Sequence, residues 1–424
     1  MRTLLTKLKQ NTDLYNTVVV GVGSIIASIF SYFLQLYLGR NLTVSDFGAF
    51  SALLSLYYLI NVPATVFSTS LVKTVSEMDP QKDKDRITYL FSRLGQLAIL
   101  VGFSIFLGVF AFRFVISDQL QISNTGAISV YGILMGLGFV GLLPHSYLQG
   151  LQKFTMFAIY LIVININRFI IPAILVALSF GLTGVFSGMS IAILLSFLIG
   201  FLFLKSNFSK VDKSISLSGE FKKLLSLSLP VLLIHFCMMA MNNVDVILIK
   251  KYFDEITAGY YAGTVTLGKI ILFGAGAVTI VMYPRISALH SKGQEYRKIF
   301  RNLFTLQIII VLSAVTVFAL LPGFITNLFF GERFLDSISY LPFFSIFIGL
   351  YVFVYFLTMF SLAIDKRKVY MILIPLVLTQ FLLITFFHST IFQVIKINIF
   401  VCIIALIALL AFTLPKILVD AKEK

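Results

Sequence analysis

Arg168 and Lys269 are cations set inside long apolar runs of this sequence, and Asp245 is an anion near the end of another. A guanidinium forks onto two phosphate oxygens, and an ammonium meets phosphate as a point charge. Arg168 and Lys269 are therefore candidates for holding an anionic group such as a diphosphate. Asn165 stands three residues before Arg168, on a neighbouring position of one helix surface, and Pro172 follows as a place for a kink. Asp245 is a candidate for carrying a coupling proton, or for pairing with Lys269 or Arg168; solvation at the outer interface is the alternative. His235 and Asn242 share a helix face close to it, flanked by Asn243. Ser24, Ser28, Ser31 and Gln35 recur at intervals that bring them within roughly 60° of one another on a helix. Two readings of that stripe stay open: a cavity wall that hydrogen-bonds sugar hydroxyls, or a helix–helix seam in which small residues allow close approach. Arg40, Asp46 and Lys251 lie in short polar breaks. A local Arg40–Asp46 ion pair fixing a turn is one reading, and an outer gate in which Arg40 meets Lys251 is the other.

The elements that carry these residues follow from composition. Hydrophobic residues make up 59% of the 424 and charged residues 12%. A soluble domain carries about 25% charged residues. The mean hydropathy is +0.99. So much apolar surface needs lipid as its solvent. The apolar runs approach 20 residues, the length with which a helix crosses about 30 Å of hydrocarbon. Without water to bond the backbone there, each segment must satisfy its own polar groups, which makes it helical. The expected class is an all-α polytopic membrane protein with spans at 16–38, 47–71, 94–116, 126–148, 155–179, 183–204, 224–249, 258–283, 303–328, 339–363, 370–391 and 395–415.

Charge distribution orients the spans. One set of alternate connections holds 25 of the 33 Lys and Arg residues and the other set holds 6. Basic loops stay on the cytoplasmic side, so both termini are expected in the cytoplasm of a cell whose inner membrane holds the chain. The net charge of +15 then belongs to loops facing anionic headgroups, and nucleic acid needs no place as a partner. The basic Met1–Tyr15 stretch has no small-x-small site after it, so a cleavable signal peptide is not expected. Cys237 and Cys402 both lie in apolar runs and read as small core residues, and the four histidines form no metal-binding spacing.

The chain also repeats weakly on itself. Under a shift of 211 residues, Arg40 falls on Lys251, Gly48 on Gly259, Phe50 on Tyr261 and Ser76 on Ser287. An even number of spans separates the copies, so both halves point the same way. Parallel repeats imply a pseudo-two-fold axis along the membrane normal. Two six-helix lobes are expected, 1–210 with spans 1–6 and 211–424 with spans 7–12, joined through the polar stretch 205–223.

Several junctions resemble a known family. Leu38-Gly39-Arg40 through Ser45-Asp46-Phe47-Gly48-Ala49-Phe50 is similar to the first-to-second span junction of polysaccharide flippases. These are the Wzx-type oligosaccharide–lipid exporters of the MATE-like (MOP) superfamily, which serve O-antigen and teichoic-acid classes of polymer. Asn243-Val244-Asp245 with Ile256–Tyr261 resembles their seventh-to-eighth junction, Tyr283-Pro284-Arg285-Ile286-Ser287 the end of their eighth span, and Pro230 fits early in the seventh. The resemblance implies two lobes in a V around a central cavity, and outward flipping of undecaprenyl-diphosphate-linked sugars by alternating access. It implies no cofactor, with H+ or Na+ as candidate coupling ions. The implied partners are the polyprenyl-diphosphate-linked glycan and membrane lipid, with a polysaccharide polymerase and a chain-length regulator beside them.

Two rivals remain. A cation-coupled multidrug exporter of the same superfamily would share the fold, but it needs acidic cavity residues, and here two basic residues stand against Asp245. A membrane polysaccharide polymerase or glycosyltransferase needs a long outward loop with acid–base groups. No outward connection exceeds about ten residues, and Asp254-Glu255 and Glu332 with Asp336 read as loop solvation.

Overall fold

The computed structural model describes residues 12–209, 219 and 229–419, with side chains between 19 and 413. The basic N-terminal stretch, most of the 205–223 connection, the first residues of the seventh expected span and the last basic residues lie outside the described residues. The helices are α1 Thr12–Asn41, α2 Val44–Ile60, α3 Val62–Ser76, α4 Lys84–Ala111, α5 Arg113–Gln119, α6 Thr125–Gly150, α7 Phe154–Ala177 and α8 Gly181–Leu204. They continue as α9 Leu229–Met241, α10 Val244–Tyr252, α11 Glu255–Ser291, α12 Arg297–Leu320, α13 Pro322–Phe330, α14 Leu341–Ala363, α15 Tyr370–Phe386 and α16 Ile391–Val419. Among the described residues, ten helices are long and apolar enough to cross a membrane, and counting each bent pair, α2+α3 and α9+α10, as one span gives twelve.

Two spans expected to be continuous are interrupted. The second breaks at the buried Asn61, where Pro63 opens α3 without an amide hydrogen to give back to α2. The seventh bends by 43° between α9 and α10. There the Asn243 side chain bonds the Met239 carbonyl at 2.8 Å and takes over a backbone partner.

Cα proximity divides the chain into two compact units, Met1–Leu42 with Ile60–Leu227, and Thr43–Leu59 with Ser228–Lys424. The segment Thr43–Leu59, assigned by sequence to the first lobe, packs in the second unit. Phe47 explains why: its ring lies 5.7 Å from those of both Phe330 and Phe334, which are themselves 4.7 Å apart. Burying one aromatic side chain stabilises by about 1.5–3 kcal/mol.

Within the first unit, helices approach through small residues, as lipid-embedded helices do. Gly23 of α1 faces Ala158 of α7, and Gly102 of α4 lies against the Gly136 carbonyl of α6. Gly188 of α8 meets Pro172 of α7, and Asn124 caps α6 by accepting from the Ala127 amide at 2.9 Å. In the second unit α11 and α14 form the centre. Their buried residues include Tyr261, Leu267, Phe344, Ile348 and Phe356.

Candidate functional site

The break between α9 and α10 brings polar groups together inside the second unit. An interrupted helix leaves carbonyls without intrahelical partners, and in an apolar interior each needs one. Three side chains supply them. Tyr351 of α14 donates to the Met238 carbonyl at 2.8 Å, Asn243 to Met239, and Gln380 of α15 to Met241 at 3.0 Å. The break is thus met by its own Asn243 amide and by a hydroxyl and an amide from two other helices.

Asp245 sits one residue into α10 and is 1% exposed. The alternative of a solvated carboxylate at the outer interface does not hold. Its Oδ1 accepts from the Val246 amide at 2.9 Å. Its Oδ2 accepts from the Tyr261 hydroxyl of α11 and from Asn398 Nδ2 of α16 at 3.0 Å. Asn398 Oδ1 in turn accepts from Gln380 Nε2 at 2.8 Å. The positive end of α10 and three donors offset the cost of a buried carboxylate.

Lys269 of α11 is also buried, and its Nζ donates to Asn243 Oδ1 at 3.4 Å and lies 5.8 Å from the centre of the Tyr58 ring. Its charge acts on Asp245. A buried charge near an opposite one costs less than either alone, so Lys269 belongs to this network. The amide oxygens of Asn242 and Gln380 are buried without a hydrogen-bond partner. The second unit thus holds a buried carboxylate able to take a proton and two buried amide oxygens without a hydrogen-bond partner. Among the described residues no three His, Cys, Asp or Glu side chains cluster as a metal-binding group. His235 lies half-buried on α9, ten residues before Asp245.

Sequence reasoning found Asp245, Asn242 and Lys269 but passed over Tyr261, Gln380 and Asn398 as partners. Gln380 and Asn398 are fully buried amides inside apolar spans, and their type and position alone were a readable signal.

The first unit carries the other candidates. Arg168 is half-buried in the middle of α7, and its Nε is buried without a hydrogen-bond partner. Asn165, one turn earlier, spends its amide on the Leu161 carbonyl at 2.8 Å. Ser24, Ser28 and Ser31 are exposed and Gln35 is half-buried. The seam of α1 is made instead by Gly23, Ala27, Leu34 and Leu38. The face of α1 that packs within this unit is therefore not the serine face.

Of the residues expected at a gate, Arg40 is exposed at the end of α1 and Asp46 half-buried in the first turn of α2. Lys251 is exposed and lies 5.3 Å from the Tyr252 ring centre. Its neighbour Lys250, which the sequence did not single out, is 1% exposed and feels the charges of Glu255, Asp254 and Asp46. Ser45 donates to Glu255, so the junctions preceding α2 and α11 are tied within the second unit.

A model of the family described as polysaccharide biosynthesis protein matches residues 37–339. No curated protein matches the chain. Among solved structures, an inward-facing multidrug resistance MATE family transporter of the MOP superfamily is similar at 14% identity and a TM-score of 0.71, covering 93% of this chain and 96% of that one. The lipid II flippase MurJ in an inward closed conformation gives 14% identity and a TM-score of 0.73, over 93% of this chain and 87% of that one. A MOP superfamily transporter from Pyrococcus furiosus, described as having a binding pocket of reverse polarity, gives 14% and 0.55, over 94% and 95%. At these identities the likeness is one of fold.

Proposed function

Because this chain belongs to the polysaccharide biosynthesis protein family, we propose that it flips an undecaprenyl-diphosphate-linked oligosaccharide from the cytoplasmic to the outer leaflet by alternating access. The observation that carries this reading is Arg168. A guanidinium nitrogen buried without a partner in the middle of an apolar span costs free energy unless something anionic meets it. A diphosphate head does so in a fork. A lipid II flippase shares the fold, and its name states a lipid-borne cargo. The polyprenyl tail stays in lipid while the head and sugars cross. An inside-negative potential helps an anionic head outward by about 2.3 kcal/mol per charge per 100 mV.

Asp245 is the proposed coupling group, through H+ or Na+. A released Asp245 carboxylate would keep the Lys269 charge near it. Both termini are proposed to lie in the cytoplasm. Export of organic cations is the competing reading, and it draws on the same carboxylate. It is weaker here because three protein donors already occupy Asp245.

The test is complementation of a flippase-deficient host. Arg168→Ala and Lys269→Ala should abolish surface polysaccharide while the protein still inserts in the membrane. Normal polysaccharide from both variants would overturn the assignment of these cations to cargo and coupling.

A further inference from the structure

A cavity of about 370 Å³ lies wholly within the first unit, between α3 and α6. Its α3 wall is Thr65, Ser68, Thr69 and Val72, spaced as one helix face, and the α6 wall includes His145 and Gln149. Thr65 and Thr69 are exposed inside a span. Polar side chains at that depth line water or a ligand rather than lipid.

The hydrogen-bond states of the lining define what it can take. The Thr65 hydroxyl donates to the Val62 carbonyl at 2.8 Å and the Thr69 hydroxyl to Thr65 at 3.2 Å. Ser146 donates to Leu142 at 2.8 Å, which leaves Ser68, 2.6 Å from Ser146, as the donor to it. Three hydroxyls have therefore spent their protons on the protein and turn lone pairs to the cavity. The His145 ring packs edge-on against Phe157 at 4.9 Å, and its Nδ1 is buried without a partner. Gln149 adds an amide, which both donates and accepts. Such a lining carries no fixed cation and is richer in acceptors than in donors, a poor match for phosphate, which brings mainly acceptors. It suits a neutral ring carrying several hydroxyl donors, and the volume falls in the range of small-molecule sites.

We propose that this cavity is a sugar subsite, which binds a neutral hexose or hexosamine ring of the lipid-linked cargo apart from the Arg168 guanidinium that meets its diphosphate. The assignment rests on the cargo proposed above. It divides recognition between two chemistries: anionic head on guanidinium, sugar hydroxyls on the α3 and α6 oxygens and the His145 ring.

The experiment uses the full chain in detergent and measures, by native mass spectrometry, binding of farnesyl diphosphate and of farnesyl-diphosphoryl-N-acetylglucosamine. The sugar-bearing probe should bind about tenfold tighter, the yield of two net hydrogen bonds. Thr65→Val with Thr69→Val, and separately Gln149→Leu, should erase that difference and leave farnesyl diphosphate binding as it was. The Thr→Val changes keep volume, and the two variants lie on different helices, so a folding defect in one leaves the other to report. Equal binding of both probes to the unaltered chain, or a sugar preference kept in both variants, overturns the subsite alone. Binding of neither probe overturns the proposed cargo, and the subsite with it.

Discussion

Gly48 and Gly259, which coincide under the 211-residue shift of the sequence, pack directly on each other within one compact unit. A Cβ on Gly48 would lie 2.9 Å from the Gly259 amide nitrogen, and one on Gly259 would collide with the Val44 carbonyl. Two positions that coincide under the shift thus meet backbone to backbone, in the first turns of α2 and α11.

Gly259→Ala should lower the midpoint of thermal unfolding in detergent, since overpacking costs about 1–3 kcal/mol. Gly274→Ala on the same helix has nothing within 4 Å of the new methyl group. It should leave the midpoint unchanged or raise it, because alanine is the better helix former by about 1 kcal/mol. Equal effects from the two substitutions would remove the close contact from the account.

Tyr261 and Asn398 donate to the same oxygen of Asp245. Removing one donor from a buried carboxylate costs about 1.5–3 kcal/mol. Tyr261→Phe and Asn398→Leu should each destabilise, and the double variant should depart from the sum, as residues in one network do. A thermal-unfolding cycle reads the departure, and strict additivity would show that the two donors act independently.

Arg168→Lys keeps the charge but loses the fork. Surface polysaccharide in a complemented host should fall by about tenfold, the cost of one charge-assisted hydrogen bond, and Arg168→Ala should bring it to background. Full activity from the lysine variant would mean that charge alone suffices.

Asp254 lies outside the spans and caps α11. Its side chain bonds the Thr257 hydroxyl and the amides of Thr257 and Ile256, at 2.9 and 3.1 Å for the amides, and these hold its carboxyl below the usual range. A depressed carboxylate stabilises above its unfolded pKa and loses that contribution as pH falls through the folded one. Asp254→Ala should therefore cost about 1 kcal/mol at neutral pH. The gap between variant and parent unfolding midpoints should close as the medium is acidified below about pH 4, and a gap that persists there would exclude the cap as its source.

The twelve spans, their order and the helical class were legible in the sequence because lipid imposes one local rule on each. An apolar run of sufficient length must close its own hydrogen bonds, whatever its neighbours do. The interruptions at Asn61 and at Asn242-Asn243 were less so, because a break is stable only where other helices meet the freed carbonyls. Tyr351, Gln380 and Asn398 meet them or their partners across separations of 113, 139 and 153 residues. Type alone named Asp245 and Lys269 as unusual, yet only packing placed both in one buried network. The sugar-sized cavity between α3 and α6 was the least legible feature. The sequence did not single out its threonines and serine, and their spent protons exist only once each hydroxyl has found its carbonyl or serine partner in the folded chain.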